Sequence, residues 1–276
     1  MSLQSLQKNW EGFAQIDPLW AICVDSSRLG NKWTREEFFA TGVTEVDRVI
    51  DHVRGLGLSP DASAPALDFG CGVGRLTRAL NRYFPECWGV DISPTMVRLA
   101  KEFNLDLPGC RFWLNEDDDL SKVPDEKFGF IYSSIVLQHI QRKYVKRYLR
   151  EMIRVLRRDG ILVFQVPDTE RAAFISKVRN KVGFRRKISR LLGRRSLDAL
   201  HMAMHCFPEK NIRALLSGQP VRLIDVSLTN SSTGGFNGDL RFLTREPEQG
   251  FVSKQYCLVK TKAGPEQTVA EGRQKS

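Results

Sequence analysis

No stretch of the chain approaches the roughly 18 consecutive apolar residues that a membrane-spanning helix needs. The first residues, Met1 to Asn9, are polar and lack the apolar core of a secretory signal. The cysteines (Cys23, Cys71, Cys87, Cys110, Cys206 and Cys257) are scattered and form no C-x-x-C pair. That pattern argues against a structural zinc site and for reduced, buried thiols. Together these absences describe a cytoplasmic globular protein without a structural metal. There is no internal repeat, which removes solenoids and propellers. Acid is also missing from one segment. Between Ser176 and Arg195 lie Lys177, Arg179, Lys181, Arg185, Arg186, Lys187, Arg190, Arg194 and Arg195, with no Asp or Glu among them. That segment supplies nearly all of the net charge of +10, so its partner is a local question rather than a property of the whole surface.

What is present is an alternation of strand and helix signals from residue 65 onward, the signature of βαβ units and a parallel sheet. Strands are expected at 65–69, Cys87–Ile92, Cys110–Leu114, Phe128–Ser133, Ile161–Val166 (ended by Pro167), Val221–Leu228 and Gln255–Thr261. Ser93 and Pro94 form a helix start, and the helix after them should run to about Phe103. Another should cover Arg142 to about Arg157, with Asp159-Gly160 turning into the fifth strand. Upstream, Thr34-Arg35-Glu36-Glu37 is a capping box ahead of a helix. Trp10, Phe13, Trp20 and Trp33 cluster before it. Residues 1–56 are therefore expected to be helical segments folding over the mouth of a core spanning 57–262. An insertion is expected at 168–206, and the polar tail 263–276 should be disordered.

The chemistry gathers at strand ends. Ala66-Leu67-Asp68-Phe69 runs into Gly70-Cys71-Gly72-Val73-Gly74, a turn whose glycines let the backbone pass close to a ligand. A dinucleotide fingerprint, G-x-G-x-x-G, requires Gly at 75, where this chain has Arg75. Asp91 ends the second strand, where an acid can accept hydrogen bonds from both hydroxyls of a ribose. Asn115 and Glu116 follow the third strand, and Ile92 and Met96 are placed to flank a flat base or to pack in the core. The fourth strand leads into Ser133-Ser134-Ile135-Val136-Leu137-Gln138-His139-Ile140.

These segments, in this order, resemble the motifs of class I S-adenosylmethionine (SAM) methyltransferases. Gly70-x-Gly72-x-Gly74 after Asp68 matches motif I. Phe128 to Ile140 matches motif IV, although Gly129 stands where Asp is usual, and 148–164 matches the following helix, turn and strand. The resemblance runs from about 65 to 167. It implies a Rossmann-like, doubly wound sheet of seven mostly parallel strands with an antiparallel last strand, and SAM lying across the carboxyl ends. Gly70 and Gly72 would then face the methionine part, Asp68 would approach its amino group, Cys71 would belong to the same cofactor-binding set, and Asp91 would hold the ribose. Asn115 or Glu116 would sit by adenine with Ile92 and Met96, and Ser133, Ser134, Gln138 and His139 would line the edge near the methyl group. His139 is the candidate general base, since imidazole titrates near neutral pH.

His201 and His205 are spaced i, i+4 and would share a helix face. They lack the Glu of H-E-x-x-H, so a substrate-contacting role is preferred to a metal role. The basic insertion is an amphipathic pattern read first as a lid and second as a site for an anionic acceptor. An anionic membrane surface or nucleic acid remain as alternatives. The sequence thus points to methyl transfer to an oxygen or nitrogen of a small or medium-sized acceptor, anionic, glycan- or lipid-linked acceptors included. An RNA-modifying enzyme, or a SAM- or dinucleotide-binding protein without turnover, are the competing readings.

Overall fold

β1 (Ala66–Phe69) is buried at every position, as a parallel strand covered on both faces must be. A computed structural model describes residues 2–171, 202–232 and 236–262. The basic segment 176–195, His201 and the tail lie outside the described residues. β1 pairs in parallel with β2 (Cys87–Asp91) and with β4 (Phe128–Ser133). β3 (Cys110–Leu114) extends the sheet beyond β2, and β5 (Leu156–Arg171) extends it beyond β4, both in parallel. β8 (Gly250–Lys260) runs antiparallel against β5 and pairs on its other side with β6 (Val221–Thr229). The two-residue β7 (Phe242–Leu243) closes the edge, giving the order β3-β2-β1-β4-β5-β8-β6-β7. The seven expected strands and the antiparallel last long strand are present, with β7 added.

The strand alternation sorts side chains between two helical layers. Leu67, Phe69, Ile131, Leu162 and Phe164 pack on one face with Leu149, Met152 and Ile153 of α6 (Arg142–Val155) and Ile212 of α7 (Glu209–Leu216). Ala66, Phe130, Tyr132, Ile161 and Val163 pack on the other with Val46, Val49, Ile50 and Val53 of α3 (Arg35–Gly55). Each such buried side chain is worth about 1.5–3 kcal/mol of apolar transfer. Thr34 Oγ1 accepts the Glu37 backbone N–H at 3.2 Å, so the capping box starts α3 where its sequence places it.

β5 departs from expectation at its end. Pro167 has no N–H and was expected to stop the strand, yet pairing with β8 continues to Arg171. A register shift between Pro167 and Thr169 absorbs the missing donor.

Strand order reverses between β1 and β4, and ligands of open α/β sheets bind in the crevice at that point. α4 (Arg75–Leu80) starts beside it, directly after the glycine turn. A roof of α1 (Leu3–Ile16) and α2 (Pro18–Ile22) joins α3 through Phe13, Trp20 and Phe38. Glu11 of α1 anchors this roof at the start of α5 (Pro94–Phe103), accepting from Ser93 Oγ at 2.6 Å and the Thr95 N–H at 3.0 Å. One buried ion pair links the layers. Arg75 Nη2 donates to Glu45 at 2.7 Å, both side chains are at most 1% exposed, and Tyr132 Oη donates to the same carboxylate at 2.9 Å.

Breaking that pair should unfold the domain readily. Glu45→Ala strands a buried guanidinium and is expected to cost about 3–5 kcal/mol in urea denaturation. Replacing both partners, with Glu45→Leu and Arg75→Met, should recover most of that loss. A single-variant cost below about 1 kcal/mol would show that the pair anchors nothing.

Candidate active site at the carboxyl edge of the sheet

The glycine turn is shaped by its neighbours. Gly70 and Gly72 have φ of +81° and +53°, a region costly for residues with a Cβ. A Cβ on Gly70 would lie 2.3 Å from Val136 Cγ2, and one on Gly72 would lie 2.4 Å from Ile22 Cδ1. The turn therefore presents bare backbone to the space beside it. That space is a cavity of about 630 Å³ bounded by the turn, the ends of β2 and β4, the roof, Ser231, Ser232 and Phe236, and the segments around 202–204 and 249–251.

Gly70, Cys71, Gly72, Asp91, Ile92, Met96, Asn115, Gln138 and His139 all line this cavity. The roof contributes Leu6, Trp10 and Ile22, and the opposite side contributes Met202, Met204, Phe236 and Phe251. Asp91 is fixed by backbone donors: its Oδ2 accepts from Gly72 N at 2.9 Å and its Oδ1 from Ser93 N at 2.9 Å. A carboxylate offers about four acceptor sites, so lone pairs remain for a ligand. Burial raises the Asp91 pKa, and the backbone hydrogen bonds work against that rise.

Three of the cofactor candidates do not reach the cavity lining. Asp68 lies beneath the turn, where Thr77 Oγ1 donates to its Oδ2 at 2.7 Å and its Oδ1 has no hydrogen-bond partner. Burial pushes its pKa up to about 7. Ser133 spends its hydroxyl on the Phe69 carbonyl at 3.1 Å, tying β4 to β1, and the adjacent Ser134 lines the cavity instead. Glu116 is exposed and accepts from Gln7 of the roof at 2.6 Å. Asn115 does line the cavity, but its amide donates to the carbonyls of Asp117 and Asp119 and so shapes its own loop.

His139 is held at both ring nitrogens. Nδ1 faces the Ala203 carbonyl at 2.7 Å, and a carbonyl can only accept, so Nδ1 carries the proton. Nε2 is then the acceptor for the Gln138 amide at 3.1 Å, and Trp10 packs edge-on at 5.0 Å. Burial lowers the imidazole pKa to about 4, the Ala203 hydrogen bond opposes that shift, and nearby His205 adds to it. As it stands, this is a neutral ring with its free lone pair occupied. That geometry disfavours the general-base assignment. Residues 202–208 form neither helix nor strand, so the described part of the His201–His205 segment has no helix face to share. His205 gives its backbone N–H to the Gln138 carbonyl at 2.7 Å. Its side chain lines a shallow depression with Arg142 and Lys143 rather than the main cavity. Among the described residues no His, Cys, Asp and Glu group could hold a metal ion. No helix there is long and apolar enough to cross a membrane.

Sequence reasoning missed several lining residues. Arg75 was noticed only as a missing glycine, and Ile135, Val136, Ser231 and Ser232 gave no signal beyond ordinary strand-end composition.

A cavity at the switch point of a doubly wound sheet is where such α/β proteins hold their ligands. Comparison with known proteins narrows this. Residues 67–164 match the family profile of the methyltransferase domain. An uncharacterized methyltransferase of Schizosaccharomyces pombe is 34% identical over 118 residues, 41% of this chain and 43% of that protein. Trans-aconitate 2-methyltransferase of Deinococcus radiodurans is 32% identical over 104 residues, 38% of each chain. The chain thus spans less than half the length of these curated relatives. Among solved structures, a SAM-dependent methyltransferase of Leishmania major superposes with a TM-score of 0.58 at 12% identity, over 92% of this chain and 82% of that one. Residues 67–164 thus carry a methyltransferase domain, and the sheet around them has the fold of class I SAM-dependent methyltransferases, whose cofactor is SAM.

The buried imidazole carries a pH signature. Between its ordinary pKa of 6.5 and its folded value of about 4, the unfolded chain binds the proton that the fold refuses. The stabilisation is therefore complete above pH 6.5 and is lost as pH falls toward 4, a swing of about 3 kcal/mol. Melting temperatures measured across that range should fall more steeply for the native protein than for His139→Gln. Parallel curves would place His139 in solvent.

Proposed function

We propose that the protein transfers the methyl group of SAM to an oxygen or nitrogen of a small or medium-sized acceptor held in the same cavity. One observation carries this reading. The cavity is continuous from the glycine turn and Asp91 to the apolar wall of Met202, Met204, Phe236 and Phe251. Donor and acceptor would therefore meet inside one cavity.

The lining fits the cofactor on its own chemistry. Gly70, Cys71 and Gly72 offer close backbone to the methionine part, and the remaining lone pairs of Asp91 suit the two ribose hydroxyls. Ile92 and Met96 offer flat apolar contact to adenine, with Asn115 shaping the loop at its edge. Asp68 supports the turn from below through the hydrogen bond it accepts from Thr77. When bound, SAM supplies an electrophilic methyl on a sulfonium sulfur, so the protein's part is alignment and exclusion of water. Leu6 and Trp10 of the roof exclude water, and Gln138 and His139 shape the edge where the acceptor enters. In this reading His139 positions its neighbours and takes no proton, because Gln138 already fills its Nε2.

The acceptor is read as having a largely apolar body. Among the described residues two arginines line the cavity, Arg75 and Arg171, and their pairing with Glu45 and Glu246 leaves them no net charge to offer. The Deinococcus relative acts, by its name, on trans-aconitate. A comparably anionic acceptor here would draw its counter-charge from the segment 176–195.

Calorimetry tests the cofactor. SAM and S-adenosylhomocysteine should bind and NAD should not. Asp91→Ala should weaken SAM binding by about a hundredfold, the loss of two hydrogen bonds to a charged group. Unchanged affinity in that variant would remove the ribose assignment. Label from radioactive SAM should then pass to a component of a metabolite extract, and extracts that never accept label would refute methyl transfer to a small acceptor.

A further inference from the structure

Ile135 is a β-branched residue with φ of +53°, a conformation that such side chains rarely adopt. It sits between the end of β4 and the short 3-10 turn at Leu137–His139, and it lines the cavity. The next residue, Val136, packs directly on Gly70 of the cofactor turn. A strained residue persists only where its surroundings hold it. Here the holder is Gln165 of β5, 1% exposed and absent from the cavity lining.

Every hydrogen bond of Gln165 has a defined direction. The Ile135 backbone N–H donates to its Oε1 at 3.0 Å, which fixes which end of the amide is oxygen. Its Nε2 donates to Ser232 Oγ and Ser253 Oγ, each at 2.7 Å, and lies 3.4 Å from Gln138 Oε1. Ser232 Oγ then donates to Gln138 Oε1 at 2.9 Å, which turns the Gln138 nitrogen toward His139 Nε2. A single buried amide thus sets both the strained turn against Gly70 and the orientation of the Gln138 amide at the cavity edge.

We infer that Gln165 is a positioning residue of the active site: it holds the Ile135–Val136 turn against the cofactor loop and orients Gln138 toward the acceptor side. This rests on the reading of the cavity as a SAM site, and two separable readouts keep the two apart. The first needs no ligand. In deuterium exchange on the ligand-free protein, Gln165→Met should speed exchange at the Ile135 amide by at least about tenfold relative to the amides of β4 and β5, since its acceptor is gone. A packing defect alone would raise all of them together. The second readout is calorimetry with S-adenosylhomocysteine, whose affinity should weaken by about tenfold in the same variant.

Gln165→Glu keeps an acceptor for Ile135 while removing the amide donors. It should retain protection at Ile135 and bind S-adenosylhomocysteine within about threefold of the native protein. Ile135 exchange that merely tracks its strand neighbours in the Met variant overturns the inference, as does native-like affinity there. Should the Met variant fail to fold, loss of Ile135 protection in the Glu variant overturns it instead. A native protein that does not bind S-adenosylhomocysteine at all refutes the cofactor reading, and the exchange experiment still decides the role of Gln165.

Discussion

The Glu45–Arg75 pair is the joint on which the site depends. Arg75 is the first residue of α4, immediately after the glycine turn, and Glu45 lies in the middle of α3. Tyr132, the penultimate residue of β4, donates to the same carboxylate. One buried charge pair therefore fixes the start of α4, the helix that closes one sheet face and the strand that carries the second half of the site. Burying two charges costs desolvation that their attraction only partly returns, so the pair adds little net stability over an apolar pair of equal volume. What it supplies is position. A hydrogen-bonded ion pair has one good geometry, whereas apolar side chains have many.

From that joint the site is built by short-range commitments of polar groups. Asp91 receives the backbone of Gly72 and Ser93, so the ends of β1 and β2 cannot drift apart. Glu11 receives Ser93 and Thr95, so the roof is docked to the helix that begins beside Asp91. Burial and the hydrogen bonds from Ser93 and Thr95 act in opposite senses on Glu11, and its pKa ends below the usual value. Its negative charge also sits at the start of α5, where the helix dipole favours an anion. The roof is thus part of the site's electrostatics as well as its cover.

How much of this could be read from sequence varies by physical cause. β1 to β4 were legible because buried parallel strands are short apolar runs ended by turn residues, and β3 and β4 fall at Cys110–Leu114 and Phe128–Ser133 as read. The glycine turn and Asp91 were legible because backbone approach to a ligand demands those residue types. The direction of a side chain at a strand end was not. Asp68 and Ser133 sit one step from the cavity and turn inward, to Thr77 and to the Phe69 carbonyl. Gln165 was invisible for a different reason. A lone polar residue in an apolar strand carries no mark of its partners, which come from β8, from the segment after β6 and from the turn after β4. His139 was recognised as a site residue, but its protonation depends on Ala203 and Gln138, contacts that only the fold creates.

The same contacts would suit a sulfonium cofactor better than a dinucleotide. A diphosphate needs free backbone donors and positive charge at the first helix of the fold. Here the Gly72 N–H is already given to Asp91, and the guanidinium of Arg75 is already given to Glu45. The groups that would meet a phosphate are spent, while the carboxyl of Asp91 lines the floor of the cavity. A floor of that kind repels an anion and attracts a cation. The missing glycine at position 75 is therefore more than a mismatch to a fingerprint. It installs an arginine whose charge is consumed within the fold, leaving a cofactor cradle whose remaining local charge is negative.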